Sequence, residues 1–188
     1  MRRRTLLASA GAGALLTASG VPARAQAAPA ATDLRSFAVQ GTDISVLLRP
    51  GPPATVLLYA ARRFQYEIDA LRPGDLATDA TGTVLDIRPG WYPPGARGGF
   101  PPHQLIVVRD IIAQCDGLLG WGGDSKRTPR EGRFRIAVPP AGRALRALAK
   151  RLDADEETPD RRVGAGTGLP FTPARLRRSE SIRRSAAG

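Results

Sequence analysis

The segment Leu105-Ile106-Val107-Val108-Arg109-Asp110-Ile111-Ile112-Ala113-Gln114-Cys115, with Leu118-Leu119-Gly120-Trp121 behind it, carries the fold reading. Leu105, Val108, Ile112 and Cys115 recur at 3-4-3 spacing, which predicts an amphipathic helix near 102–115. Leu118–Trp121 and Phe134–Val138 are strand candidates divided by a polar loop over Gly122–Gly132. Upstream, Thr83–Ile87 reads as a short strand closed by Pro89-Gly90. Residues 89–102 hold so many prolines and glycines that neither a helix interior nor a central strand fits there. Further out, Leu57, Leu58, Ala61, Phe64 and Ile68 mark a helix near 53–66, started by Pro52-Pro53. Arg35–Gln40 and Asp43–Arg49 read as a hairpin around Gly41-Thr42. Downstream, Pro139-Pro140 opens a third helix with Ala141, Leu145, Leu148 and Leu152 as its buried stripe. Helices separated by short strands, without regular βαβ alternation and without repeats, predict an α+β domain: a small antiparallel sheet with about three helices.

The chain has 188 residues, 28 Lys plus Arg against 17 Asp plus Glu, and a formal charge of +11. One cysteine excludes an internal disulfide framework and any zinc site built on several thiolates. One histidine, His103, excludes a mechanism that needs two imidazoles in one chain. No stretch reaches the roughly 18–20 apolar residues of a spanning helix, so an integral membrane segment is not expected. The basicity is terminal: residues 1–27 carry +4, 28–157 carry +2 and 158–188 carry +5. A nucleic-acid domain should carry its positive stripe on the folded body, so no nucleic-acid partner is expected.

Residues 1–27 read as an export signal. Arg2-Arg3-Arg4 precedes Thr5-Leu6-Leu7 and a mildly apolar run, and Ala25-Gln26-Ala27 is a small-residue cleavage pattern. The arginine pair and the Gly/Ser-diluted apolar run resemble a twin-arginine signal. The expected product, cleaved near Ala27, is secreted or held in the cell envelope. The organisation is then signal 1–27, domain 28–157, and a basic Gly/Pro/Arg-rich tail 158–188 expected to be disordered.

Three passages together resemble the zinc D-alanyl-D-alanine carboxypeptidases and related cell-wall endopeptidases, the Hedgehog/DD-peptidase fold. The first is Asp79-Ala80-Thr81-Gly82-Thr83-Val84-Leu85-Asp86-Ile87. The family has a zinc histidine, two residues, Gly, one residue, Ala, one residue and a zinc aspartate there. Gly82 and Asp86 match, Asp79 stands at the histidine position, and Val84 replaces the alanine. The second runs from Val107 through the helix to Gly120-Trp121-Gly122-Gly123-Asp124, similar to the family's helix leading into a Trp-Gly-Gly-Asp turn. The third is Pro129-Arg130-Glu131-Gly132-Arg133-Phe134-Arg135-Ile136. In active members an acid precedes the second zinc histidine by three residues; here Arg130 and Arg133 hold those two positions. The resemblance covers about residues 35–152.

What it implies is a fold kept and a chemistry lost. Such peptidases hold zinc with three protein ligands and use a carboxylate to take a proton from the bound water. Guanidinium has no free lone pair, so Arg133 cannot be a ligand and Arg130 cannot be a base. No catalytic residue, metal or other cofactor is therefore expected, zinc being the family's. Asp79, Asp86 and Arg133 are expected at the former metal pocket, either as a charge-assisted pair filling the hole or as separate solvated charges. The implied partner is peptidoglycan or its stem peptides, with Glu131, Trp91, Tyr92 and Trp121 as candidate ligand-binding residues. Two other readings stand beside it: a metallopeptidase with a hard ion on Asp79, Asp86 and Glu131, and a surface protein whose basic tail adheres to anionic wall polymer. His103 reads as a partly exposed first-turn residue and Cys115 as a buried small hydrophobe. Asp153–Glu157 reads as a solvated run and Gly164–Gly168 as a flexible stretch, not a phosphate loop.

Overall fold

The computed structural model describes residues 33–157 and 171–187. The signal segment and the Gly164–Gly168 run lie outside these. Among the described residues the chain is α+β, with four helices, one two-stranded sheet and one four-stranded sheet, both antiparallel.

β1 (Arg35–Ala38) pairs with β2 (Ser45–Leu48), from Arg35↔Leu48 to Ala38↔Ser45. Val46 and Leu48 point inward while Ser45 and Leu47 stay in solvent, the period-2 pattern of a half-buried strand. The bend is longer than Gly41-Thr42 alone. Val39 N–H donates to Ile44 O at 2.8 Å, and Thr42 directs both its N–H and its hydroxyl at Val39 O. Gly41 sits there with φ of +79°, where any side chain would run into the Tyr66 ring.

α1 (Pro52–Glu67) begins with two prolines, whose missing N–H groups have no helical partner to lose. It is buried around most of its girth, through Ala54, Val56, Leu57, Ala60, Ala61 and Phe64. The cause is its central position, against α2 (Pro102–Gln114), α3 (Arg143–Glu157) and the larger sheet. That sheet runs β3 (Leu76–Thr78), β4 (Val84–Ile87), β6 (Arg133–Ile136), β5 (Leu119–Trp121) in spatial order. Leu85, Ile87, Leu119, Trp121 and Phe134 face the core, while Asp86, Gly120, Arg133 and Arg135 share the other face. β3 has no sequence signature; three residues after Pro73-Gly74 become a strand because β4 offers its edge, with Leu76 opposite Ile87.

Two expectations need correcting. Pro139-Pro140 does not open the third helix. Pro139 to Gly142 form a turn, closed by Gly142 N–H on Pro139 O at 2.8 Å, and α3 starts at Arg143. Ala141 is accordingly exposed, while Leu145, Leu148 and Leu152 are buried as the stripe predicts. Secondly, the expected disordered tail holds α4 (Pro173–Ala187), packed along α2; residues 158–170 lie outside the described ones. Its apolar stripe is sparse, Leu176 and Ile182, and charge completes the contact. Arg175 reaches Asp110 with Nε at 2.6 Å from Oδ1, and Arg178 pairs with Asp116. Among the described residues no helix is long and apolar enough to cross a membrane.

Asp110 also meets the most deeply buried cation. The Arg63 side chain has no exposure; it donates to Asp110 Oδ2 at 2.9 Å, to Tyr59 Oη at 3.0 Å and to Glu67 Oε2 at 2.6 Å. The neighbouring Tyr59 and Glu67 hold its guanidinium above the ordinary value although burial alone would lower it. Removing one partner of a buried pair leaves an uncompensated charge and costs about 3–5 kcal/mol. Asp110→Ala is therefore expected to lower unfolding free energy by about that amount in urea titrations. Near-wild-type stability would contradict the burial of this pair.

Cys115 follows α2 and is fully buried, and burial pushes its thiol up to about 12 from an ordinary 9.0. Between those values the unfolded chain has released a proton that the folded chain keeps, so this group's contribution falls as pH rises from 9 toward 12 and is constant below 9. Denaturant titrations at pH 7 and pH 10.5 should show a steeper loss for wild type than for Cys115→Ala. Equal losses would remove the thiol as the cause.

Candidate functional site

The polar face of the larger sheet is organised by one cross-strand pair. Asp86 on β4 lies directly opposite Arg133 on β6. Ladder bonds sit at their neighbours, Ile87 N–H on Gly132 O at 2.8 Å and Ile136 N–H on Thr83 O at 3.0 Å. Asp86 and Arg133 thus occupy a non-hydrogen-bonded position, where facing side chains approach most closely. Arg133 donates from Nε to Oδ1 at 2.8 Å and from Nη2 to Oδ2 at 2.6 Å, a bidentate pair. The two side chains are 29% and 19% exposed. These hydrogen bonds raise the Arg133 guanidinium above its ordinary value, burial opposes them, and the charges of Asp86 and then Asp79 add to the rise.

Asp79 contributes its field but not a contact. Its Oδ1 accepts the N–H groups of Thr83 and Val84, each at 3.2 Å, and its Oδ2 accepts the Thr81 hydroxyl at 2.6 Å. The carboxylate is occupied in holding the turn that delivers the chain into β4. Glu131 is also committed. Buried, it accepts Gly98 N–H at 2.9 Å on Oε1 and Gly99 N–H at 2.7 Å on Oε2, so it pins the Pro/Gly loop. The hard-ion alternative placed Asp79, Asp86 and Glu131 on one metal; each instead binds its own donors.

The aromatic residues form no shared platform. Trp91 is 72% exposed, with the Arg88 guanidinium 5.3 Å from its ring centre. Tyr92 stacks inward on Phe100 at 4.4 Å. Trp121 is buried, donates Nε1–H to Glu131 O, and has the Arg109 guanidinium over its ring at 4.4 Å. Its large apolar body and single donor suit an anchor under the turn better than a ligand surface. Arg130 is half-buried in the loop before β6 and makes no ion pair among the described residues. His103 is exposed in the first turn of α2.

Residues that sequence reasoning passed over also shape the face. Arg135 follows Arg133 by two and therefore projects on the same side; strand periodicity held that signal. Arg109 pairs with Asp124 at 2.6 Å, and Arg97 donates to the carbonyl of Ser125 at 2.7 Å, clasping the turn after β5. No family model, curated protein or solved structure matched the chain.

The donor set does not fit a zinc ion. Both oxygens of Asp86 are taken by Arg133, which brings a permanent positive charge and no lone pair. Among the described residues no three His, Cys, Asp or Glu side chains come together as a metal cluster. The face thus carries a mutually neutralised carboxylate–guanidinium pair with the exposed Arg135 on the same side. Arg133→Ala should cost about 1.5–3 kcal/mol of stability, the range for hydrogen bonds to a charged group, because the pair is only partly buried. Arg133→Lys should recover less than half of it, since an ammonium cannot form the fork. Chemical denaturation of the three proteins checks both; a melting curve for Arg133→Ala that overlays wild type would remove the pair's structural role.

Proposed function

We propose that the protein is an exported, non-catalytic relative of the zinc D-alanyl-D-alanine carboxypeptidases that binds peptidoglycan stem peptides on its charged sheet face. The observation that carries this reading is the Arg133 guanidinium locked bidentate onto Asp86. In the resembling enzymes these two positions would hold a metal, and a protonated fork on the carboxylate takes the place of that coordination. The signal-like segment 1–27 supports delivery to the envelope, where such peptides occur. Arg130, without a carboxylate partner among the described residues, supplies the charge that attracts a peptide's terminal carboxylate.

Purified protein should bind a stem pentapeptide ending in D-Ala-D-Ala by calorimetry, and about tenfold more weakly when that peptide is amidated at its C-terminus, one lost charged hydrogen bond's worth. Arg130→Ala should weaken binding by a similar factor. Release of D-Ala should stay at the buffer rate with and without added zinc. Chelator-sensitive release, or stoichiometric zinc in the native protein, would make the protein an enzyme; absence of binding at millimolar peptide would remove the ligand.

A further inference from the structure

Arg175, Ser179, Ile182 and Arg183 recur along α4 at spacings of four, three and one, and so share one face of the helix. The Arg175–Asp110 pair fixes that face against α2. Arg183, roughly two turns further on, is thereby held at the rim of a cleft of about 380 Å³. The cleft is shared between α4 and the sheet, with Gly120 and Arg135 lining it from β5 and β6. Its volume lies in the range of ligand-sized clefts, roughly 300–1,000 Å³. Gly120 makes room for the cation on the sheet side. The Arg135 side chain lies across it, with Nε 3.4 Å from where a Cβ on Gly120 would stand.

The charge in the cleft is unbalanced. Arg109 and Asp124, which both line it, neutralise each other. Arg135 and Arg183 are exposed and have no acidic partner among the described residues, Glu180 on α4 included. A concave surface with two uncancelled charges of one sign concentrates counter-charge. The two forks come from different elements, so one ligand group must offer oxygens in more than one plane to satisfy both. A carboxylate has two coplanar oxygens and a single charge. A phosphate monoester has three oxygens and nearly two charges at neutral pH, which matches both the geometry and the excess. Ala137 and Ile182, also lining the cleft, offer apolar contact beside the charged end.

We propose that this cleft is a second binding site, which takes the dianionic head of a small phosphate monoester. Arg135 from the sheet and Arg183 from α4 grip the phosphate, and the organic part lies against Ala137 and Ile182. The site uses residues other than Asp86, Arg130 and Arg133, and it does not rest on the stem-peptide reading.

The test titrates the full chain with phenyl phosphate by calorimetry at pH 7.5. Phenyl sulfate, of the same shape but one charge, should bind at least tenfold more weakly. Inorganic phosphate, which lacks the organic part, should bind at least threefold more weakly. A phosphate monoester loses its second proton near pH 6, so at pH 5 only about a tenth of it is dianion. Phenyl phosphate should therefore bind about tenfold more weakly at pH 5 than at pH 7.5, and phenyl sulfate equally at both. The guanidinium groups stay charged throughout, and protonation of Asp124 or Glu180 would move both ligands alike. Arg135→Ala and Arg183→Ala should each weaken phenyl phosphate about tenfold at unchanged melting temperature. Arg49→Ala, which removes an exposed arginine outside the cleft, should change it less than twofold. A pentapeptide ending in D-Ala-D-Ala should not displace it. Equal affinity for phenyl phosphate and phenyl sulfate, or for phenyl and inorganic phosphate, would overturn the proposal. So would indifference to pH, wild-type affinity in either cleft variant, an equal loss in Arg49→Ala, displacement by the pentapeptide, or no binding at millimolar phenyl phosphate.

Discussion

The Arg63 guanidinium is out of contact with water, and two helices, α1 and α2, supply the oxygens that satisfy it. Desolvating a cation of that size costs several kcal/mol unless carboxylate and hydroxyl oxygens replace its hydration. Glu67 and Tyr59 come from the same helix, at four residues on either side, so α1 alone meets part of the demand. The rest comes from Asp110, across the α1–α2 interface. Asp110 is as buried as its partner and accepts a second cation, Arg175, from α4. One carboxylate thus joins three helices, and the position of α4 over the β5 edge follows from it.

A second carboxylate–guanidinium pair, Asp86 with Arg133, organises the other side of the sheet. The two pairs differ in burial, and the difference decides their roles. Arg63–Asp110 is closed to solvent and serves the core. Asp86–Arg133 lies on a partly open face, so its charges cancel each other there while Arg130 and Arg135 nearby keep theirs. A carboxylate that accepts two donors from one guanidinium has little capacity left for a divalent ion, and the guanidinium repels one.

Much of this was legible from residue order. The 3-4-3 spacing of Leu105, Val108, Ile112 and Cys115 marks α2, the prolines at 52 and 53 mark the start of α1, and alternation marks β2 and β4, because each depends on neighbours within a few residues. Asp86 and Arg133 were legible as a candidate pair from motif positions, 47 residues apart. β3 and α4 were not. A three-residue edge strand exists only because β4 supplies its ladder, and α4's two apolar contacts and two ion pairs have meaning only once Asp110 and Asp116 are placed. Pro139-Pro140 misled because a proline pair serves a turn as well as a helix start, and Gly142 settles the matter by bonding back to Pro139.

By itself the sequence determined the α+β class, the principal helix faces and the want of a second imidazole; all are properties of residue type and local spacing. Tertiary structure alone decided that Glu131 binds loop N–H groups, that Asp79 holds a turn, that Trp121 is an anchor, and that the Arg135 side chain lies across Gly120. Those outcomes depend on which long-range partner reaches a polar group first, and a carboxylate's sequence position carries no record of the donors that folding will bring to it.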